Sequence, residues 1–278
     1  MSDEHDLEQE CSDRDRPVPK RLFKYQPATL QAILNLAAGN IWFADPLTFN
    51  DPFDCAVDGV VEQVKQALKS MDAAQAIEIA IAIGSDAKVL TSIAQLPKEK
   101  IVEHAGKGLE PAIASRLENR RGVSCFTESL DNPLMWGHYA ESHRGFCLAF
   151  DTSFEPFNNP NKCRPVKYRE SMPVFDLQEI SRGNFLHVTE AFLTKAKCWT
   201  YEAEWRLLHN EKCKVFGYAR HVLTDVYLGA RMPEDLAVVI GSILSRTDTR
   251  LHRMELDPQK FKIVPKNRYF TPIDHRKS

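Results

Sequence analysis

Residues 122–150 read GVSCFTESLDNPLMWGHYAESHRGFCLAF, two apolar segments with a polar one between them. Residues 123–126 predict a strand, and residues 145–150 predict a second, strongly apolar strand. Residues 133–140 predict a short helix, because Asn132 or the aspartate before it can cap the helix and proline is tolerated in its first turn. A helix between two strands indicates a fold that mixes α and β structure.

The flanking sequence extends this pattern in both directions. Upstream, it predicts strands at 22–25 and 41–44, with a helix from Pro27 to Gly39 between them. Downstream, the predicted strands are 166–168, 202–208, 222–228, 251–256 and 261–264, and the predicted helices are 185–197 and 233–244. The elements together predict an α+β fold, with a mixed, mostly antiparallel split sheet, flanking helices and a helical insertion.

The domain organisation follows from changes in composition. Residues 1–20 hold seven acids and three bases, which predicts a disordered acidic leader. We expect a single α+β domain over 21–270. It contains a helical insertion at about 60–120, where Ala, Ile, Lys and Glu predominate. Residues 271–278 are expected to form a flexible tail.

Charge and composition exclude several classes of protein. The net charge of −2 excludes a bulk polycation that coats nucleic acid. The absence of a run of about 18 apolar residues argues against a membrane-spanning helix, and the acidic N-terminus argues against a secretory signal. Seven cysteines at wide spacings favour reduced thiols, so we expect a cytoplasmic protein without a membrane partner. Glycine-rich phosphate loops, nucleophile elbows and zinc signatures are missing, and we expect no metal.

A first polar cluster lies between two aromatic residues, at residues 48–54. Asn50, Asp51 and the following proline favour a turn held by side-chain-to-backbone hydrogen bonds. The alternative is that Asn50, Asp51 and Asp54 bind a ligand or a metal ion. Burial of an aspartate beside phenylalanines would be costly without a partner.

A second cluster lies on the predicted helix 133–140. Met135, His138 and Tyr139 can share one face of it through i, i+3 and i+4 spacing. A His and a Tyr side by side could hydrogen-bond a polar ligand or stack on an aromatic one. The alternative is an ordinary core histidine.

A third cluster lies on the predicted strand 202–208. Strand alternation would project Glu202, Glu204 and Arg206 from one side, while Trp205 and Leu207 anchor the other side in the core. The carboxylates would then face a cleft, partly exposed and contributing little to folding. The alternative is a solvated ion ladder on a flat sheet.

Taken together, these motifs resemble a bacterial family, the domain-of-unknown-function family numbered twenty-nine seventy-one. The resemblance rests on four segments in the same order, over roughly residues 21–245. They are Leu22-Phe23-Lys24-Tyr25, residues 41–54, Met135-Trp136-Gly137-His138-Tyr139-Ala140 followed by Gly145-Phe146-Cys147, and Glu202-Ala203-Glu204-Trp205-Arg206. The family name supplies no activity.

The order of elements also resembles the ADP-ribosyltransferase superfamily, in which a split sheet grips NAD in an extended pose. The resemblance implies that Lys24 or Tyr25 is the first-strand residue that contacts the nucleotide. It implies an aromatic wall from Phe49, or from His138 and Tyr139. The chain lacks the Ser-Thr-Ser motif that precedes the acid in that superfamily.

The same resemblance implies the chemistry. Glu204, on the late strand, would be the critical acid that stabilises the oxocarbenium-like ribose as the nicotinamide–ribose bond breaks. Glu202 would take a proton from the acceptor, whose identity is unknown. His138 is a third catalytic candidate, and Asn50, Asp51 and Arg206 are candidates for substrate binding.

Three functional hypotheses therefore stay open. The first is an NAD-using ADP-ribosyltransferase or NAD glycohydrolase, such as a toxin or phage-defence effector. The second is a metal-dependent hydrolase or nuclease that uses Asp51, Asp54, His138 and Glu204. The third is a non-enzymatic ligand sensor or interaction module. Spatial proximity of these side chains separates the three.

Overall fold

The computed structural model describes residues 16–55, 66, 70, 72–82, 92, 95–103, 107, 121–173 and 190–269. Residues 1–15 of the predicted leader and the predicted tail lie outside the described residues. Most of the predicted insertion at about 60–120 also lies outside them, but its described part includes a helix, Ala73–Ala82.

The elements are numbered in chain order. The strands are β1 (Arg21–Gln26), β2 (Asn40–Phe43), β3 (Gly122–Thr127), β4 (Phe146–Asp151), β5 (Cys163–Pro165), β6 (Lys167–Arg169), β7 (Thr194–Ala196), β8 (Glu204–His209), β9 (Lys214–Gly217), β10 (Leu223–Leu228), β11 (Arg250–Leu256) and β12 (Ile263–Tyr269). The α-helices are α1 (Leu30–Ala38), α2 (Ala73–Ala82), α3 (Pro133–Tyr139) and α4 (Glu234–Leu244). Short 3₁₀ helices span Pro46–Thr48, Lys197–Glu202 and Arg220–Val222.

Eight strands form the main sheet, in the order β12-β11-β10-β4-β1-β3-β8-β5. Its neighbouring strands are antiparallel except for β10 and β11, which are parallel and connected through α4. Two small sheets accompany it: β2 pairs with β9, and β6 pairs with β7. The predicted α+β class, with a large and mostly antiparallel sheet, is confirmed.

Both faces of the main sheet are covered. Helices α1 and α4 pack on one face through apolar residues such as Leu36 and Ile240. Helix α3 packs on the other face, where Trp136 is buried against Tyr25 with ring centroids 5.0 Å apart. Alternation along β1 explains this division, because Leu22 belongs to the first core and Tyr25 belongs to the second.

The main sheet opens between β1 and β3. Strand β1 pairs with β4 over six positions but meets β3 only at Phe23 and Thr127. Farther along the edge of β3, the backbone of Val123 bonds to Ala44 after β2 instead of to β1. The two central strands therefore diverge and leave a gap between them.

Local structure departs from the sequence prediction in several places, two of which involve the segments 185–197 and 202–208. The strand predicted from residue 202 begins only at Glu204, because Ala203 adopts a left-handed conformation, with φ of 43°, after a 3₁₀ helix. The helix predicted over 185–197 is wrong over its last residues, since Thr194–Ala196 forms β7 and pairs with β6. Residues 185–189 lie outside the described residues.

The last residues of the predicted leader contact the domain. Arg16 forms an ion pair with Glu128, and the Thr152 hydroxyl donates a hydrogen bond to the Pro19 carbonyl. Val18 packs against the first core. Among the described residues, no helix has the length and apolar character needed to cross a bilayer.

Candidate functional site

A cavity of about 210 Å³ occupies the gap between β1 and β3. Its walls are largely aromatic and apolar, and residues from β1, β3, α3 and the loop after β2 contribute to them. Its aromatic and sulfur-containing lining residues are Phe23, Tyr25, Trp42, Phe49, Phe126, Cys125, Met135 and Tyr139. Its polar lining residues are Lys24, Asn50, Asp54, Thr127, Lys195, Glu202 and Glu204.

Lys195 of β7 organises the carboxylates at one wall. Its ammonium lies 2.5 Å from an oxygen of Glu202, 3.3 Å from one of Glu204 and 3.4 Å from one of Asp54. All four side chains are buried, with exposed fractions of 3–4%. Burial would lower the pKa of Lys195, but the three carboxylates outweigh it and raise that pKa.

Arg206 lies behind this wall and is completely buried. Its guanidinium binds both oxygens of Asp54, at 2.7 and 2.8 Å, and its Nε donates to Glu204 at 2.8 Å. A third donor group reaches the Phe192 carbonyl at 2.8 Å. Strand alternation places Glu204 and Arg206 on the same side of β8, as the sequence predicted, and the remaining partners come from distant segments.

Glu202 and Glu204 experience opposite effects. Burial would raise the pKa of Glu204, but Arg206 and Lys195 overcome it and hold that pKa at about 2. Burial and repulsion from Glu204 raise the pKa of Glu202 instead. Tyr139 donates a hydrogen bond of 2.5 Å to Glu202, and burial together with this bond raises the pKa of Tyr139. The pair thus combines a permanent anion with an acid that accepts protons more readily.

The expectation that these acids are partly exposed is wrong. Glu202 and Glu204 are 2% and 4% exposed, because β7, α3 and the loop carrying Asp54 cover this side of β8. We call the group of Asp54, Lys195, Glu202, Glu204 and Arg206 the ionic wall. Three carboxylates against two cations leave it one net negative charge, and losing one of these partners would leave a buried charge uncompensated.

Lys24 of β1 also lines the cavity. Its amine donates one hydrogen bond of 3.1 Å to the Cys125 carbonyl on β3 and lies 5.0 Å from the centre of the Phe126 ring. No carboxylate in the described part of the chain lies within 4.0 Å of it. Burial lowers the pKa of Lys24.

The structure brings most of the predicted site residues to this cavity. Those that line it are Lys24, Tyr25, Phe49, Asn50, Tyr139, Glu202 and Glu204. Arg206 is held behind Glu204. His138 is not a lining residue, although its ring lies 6.2 Å from that of Tyr139.

Asp51 is also outside the lining of the cavity and forms the predicted turn. Its side chain accepts a hydrogen bond of 2.9 Å from the Phe53 amide, and its carbonyl accepts one of 3.0 Å from the Asp54 amide. The turn thereby directs Asp54 toward Arg206.

Sequence reasoning missed two members of the ionic wall as substrate-site residues. Lys195 lies in the segment expected to be helical, which hid its place on a strand. Asp54 was named only in the alternative that the segment binds a ligand or a metal ion, and its ion pair with Arg206 was not predicted. The sequence did hold one indication of the role of Asp54. Burying an aspartate in the aromatic segment 49–54 is costly unless a cationic partner pairs with it.

The residues named for a metal-dependent hydrolase do not converge. Asp54 and Glu204 are engaged by Arg206 and Lys195, while Asp51 and His138 lie outside the cavity lining. Within the described ranges, no group of three or more His, Cys, Asp or Glu residues is arranged to hold a metal ion.

A comparison with known protein families matches a segment that contains much of the ionic wall. Residues 135–207 match the model of a family described as protein of unknown function (DUF2971). This match confirms the resemblance, over a shorter range than the motifs suggested. It includes Tyr139, Lys195, Glu202, Glu204 and Arg206, but not Lys24 or Asp54. No match to this chain was found among the curated proteins or among the solved structures.

Proposed function

We propose that this protein cleaves the nicotinamide–ribose bond of NAD, as an ADP-ribosyltransferase or an NAD glycohydrolase. The observation that supports this most is the cavity between diverging β1 and β3, with aromatic walls and two buried glutamates. The resemblance to the ADP-ribosyltransferase superfamily, whose split sheet holds NAD, points in the same direction. The cavity is smaller than the roughly 300–1,000 Å³ of most small-molecule pockets, so it would hold one ring of a larger ligand.

The nicotinamide ring of NAD is flat and carries a positive charge. Trp42 and Phe49 are among the aromatic residues that line the cavity, and aromatic rings attract cations. The net negative charge of the ionic wall adds to this attraction. The size, aromatic lining and charge of the cavity therefore support a nicotinamide ring as its ligand fragment.

The two glutamates can divide the chemistry between them. When the bond between ribose C1 and the ring nitrogen breaks, the electron pair leaves with nicotinamide and positive charge develops on the ribose. Glu204, permanently ionised by Arg206 and Lys195, would stabilise that charge. Glu202, with its raised pKa, would receive the proton that the acceptor or water loses on attacking ribose C1.

The test is incubation of the full chain with NAD, with nicotinamide release measured with and without a chelator. Glu204→Gln removes the charge but keeps the shape, and its rate should fall by about a hundredfold or more. Glu202→Gln should reduce transfer to an acceptor more than hydrolysis. Glu255→Gln, on an exposed part of β11, is the matched control and should retain the wild-type rate.

The outcomes separate the open hypotheses. Each variant's melting temperature must be measured as well, since the acids are buried. A wild-type protein that binds NAD without releasing nicotinamide would be a ligand sensor, and one that neither binds nor cleaves NAD would overturn the proposal. Full activity of Glu204→Gln would refute the assignment of the acid. Nicotinamide release that a chelator abolishes would favour metal-dependent chemistry.

A further inference from the structure

The two lysines of the cavity have opposite surroundings. Lys195 has three carboxylates within 3.4 Å, whereas Lys24 has one backbone carbonyl and an aromatic ring. Both amines belong to the lining of the same cavity. The proposed cleavage of NAD assigns no chemical step to Lys24.

The position of Lys24 follows from the divergence of β1 and β3. The backbone groups of alternate residues of β3 point toward the β1 side. Thr127 pairs there with Phe23 of β1, whereas Val123 bonds to Ala44, which follows β2. Cys125 lies between these two contacts, where the strands have separated, and its carbonyl receives the Lys24 amine. The amine has one hydrogen-bond acceptor among the described residues, and attraction from Glu204 does not offset its partial removal from water, so the neutral amine is favoured.

We propose that Lys24 is a reactive amine that forms an imine with small aldehydes or ketones bearing a flat, apolar body. Its nitrogen attacks the carbonyl carbon and gives a carbinolamine. Loss of water, made of the carbonyl oxygen and the two amine hydrogens, then leaves the carbon–nitrogen double bond. The aromatic walls select the flat body of the ligand, and burial keeps a larger share of the amine unprotonated than on an exposed lysine.

The experiment is reductive labelling of the full chain with benzaldehyde and cyanoborohydride, followed by peptide mass spectrometry. At about pH 6.5, Lys24 should be labelled several-fold faster than exposed lysines such as Lys260, because its lowered pKa leaves more of its amine neutral. Lys195, whose pKa is raised in the same cavity, should stay unlabelled.

Lys24→Arg is the matched variant, because a guanidinium can still donate to the Cys125 carbonyl but does not form an imine. It should fold, and the preferential label should disappear. Uniform labelling of all lysines, or preferential labelling of Lys195, would overturn the proposal. A labelling profile for Lys24 that is half-maximal near pH 10.4 would also overturn it. No step of this test uses NAD, so its failure is distinguishable from failure of the proposed function.

Discussion

The two walls of the cavity bury charge in different ways. On the β8 side, Arg206 and Lys195 are surrounded by the carboxylates of Asp54, Glu202 and Glu204. On the β1 side, Lys24 is accompanied by one carbonyl and a phenylalanine ring. Burial disfavours the charged form of both Lys24 and Lys195. The surrounding carboxylates reverse this effect for Lys195, whereas the pKa of Lys24 stays lowered. The comparison teaches that the partners of a lysine in this cavity decide whether its pKa is raised or lowered.

The largest effect is expected from breaking the charge balance of the ionic wall. Arg206→Met would leave Asp54 and Glu204 with Lys195 as their remaining partner, and should lower the free energy of unfolding by about 3–5 kcal/mol. Urea denaturation measures this, with Arg246→Met on an exposed site as the control. A loss below about 1 kcal/mol would show that the wall is not an important source of stability.

Acid should weaken the same wall in a defined window. The pKa of Glu204 is held at about 2, below its usual 4.5, so its contribution is complete above pH 4.5 and is lost as the pH falls toward 2. The contribution is about 3 kcal/mol. Unfolding free energies between about pH 5 and pH 2 should therefore fall less steeply in Glu204→Gln than in the wild type. Equal slopes would contradict the assignment.

A smaller effect is expected at the turn that delivers Asp54 to the wall. Asp51→Ala removes the acceptor of the Phe53 amide and should cost about 1–2 kcal/mol, lowering the melting temperature by about 2–6 °C. Asp51→Asn keeps an acceptor and should lose less. Unchanged stability with abolished ligand binding would instead make Asp51 a binding residue.

The smallest effect on stability is expected on the β1 wall. Lys24→Met forfeits one neutral hydrogen bond to a carbonyl, while methionine keeps the apolar stem. The free energy of unfolding should change by less than about 1 kcal/mol in urea denaturation. A loss comparable to that of Arg206→Met would mean that Lys24 is a buried ion, and the contrast between the walls would disappear.

Much of the fold could be predicted because its segments are locally consistent. The apolar run over 145–150 forms β4 at the centre of the sheet, and the Pro-containing segment 233–244 forms α4. The predictions that were wrong lie where backbone geometry depends on partners. Ala203 turns left-handed before β8, and Thr194–Ala196 pairs with β6. Neither feature is marked in the sequence by a periodic pattern of apolar residues.

By itself, the sequence determined the α+β class and the family resemblance, and it placed Glu204 and Arg206 on one side of a strand. Apolar periodicity and residue spacing are local properties, and they can be read from neighbouring positions. Tertiary structure alone decided that Lys195 and Asp54 join Glu202, Glu204 and Arg206. It also decided that Lys24 lines the same cavity with no carboxylate of the described residues within 4.0 Å of its amine. Those outcomes depend on contacts between segments up to 152 residues apart in the chain. The energy of a buried charge is set by the groups within a few ångströms of it, which the order of residues does not specify.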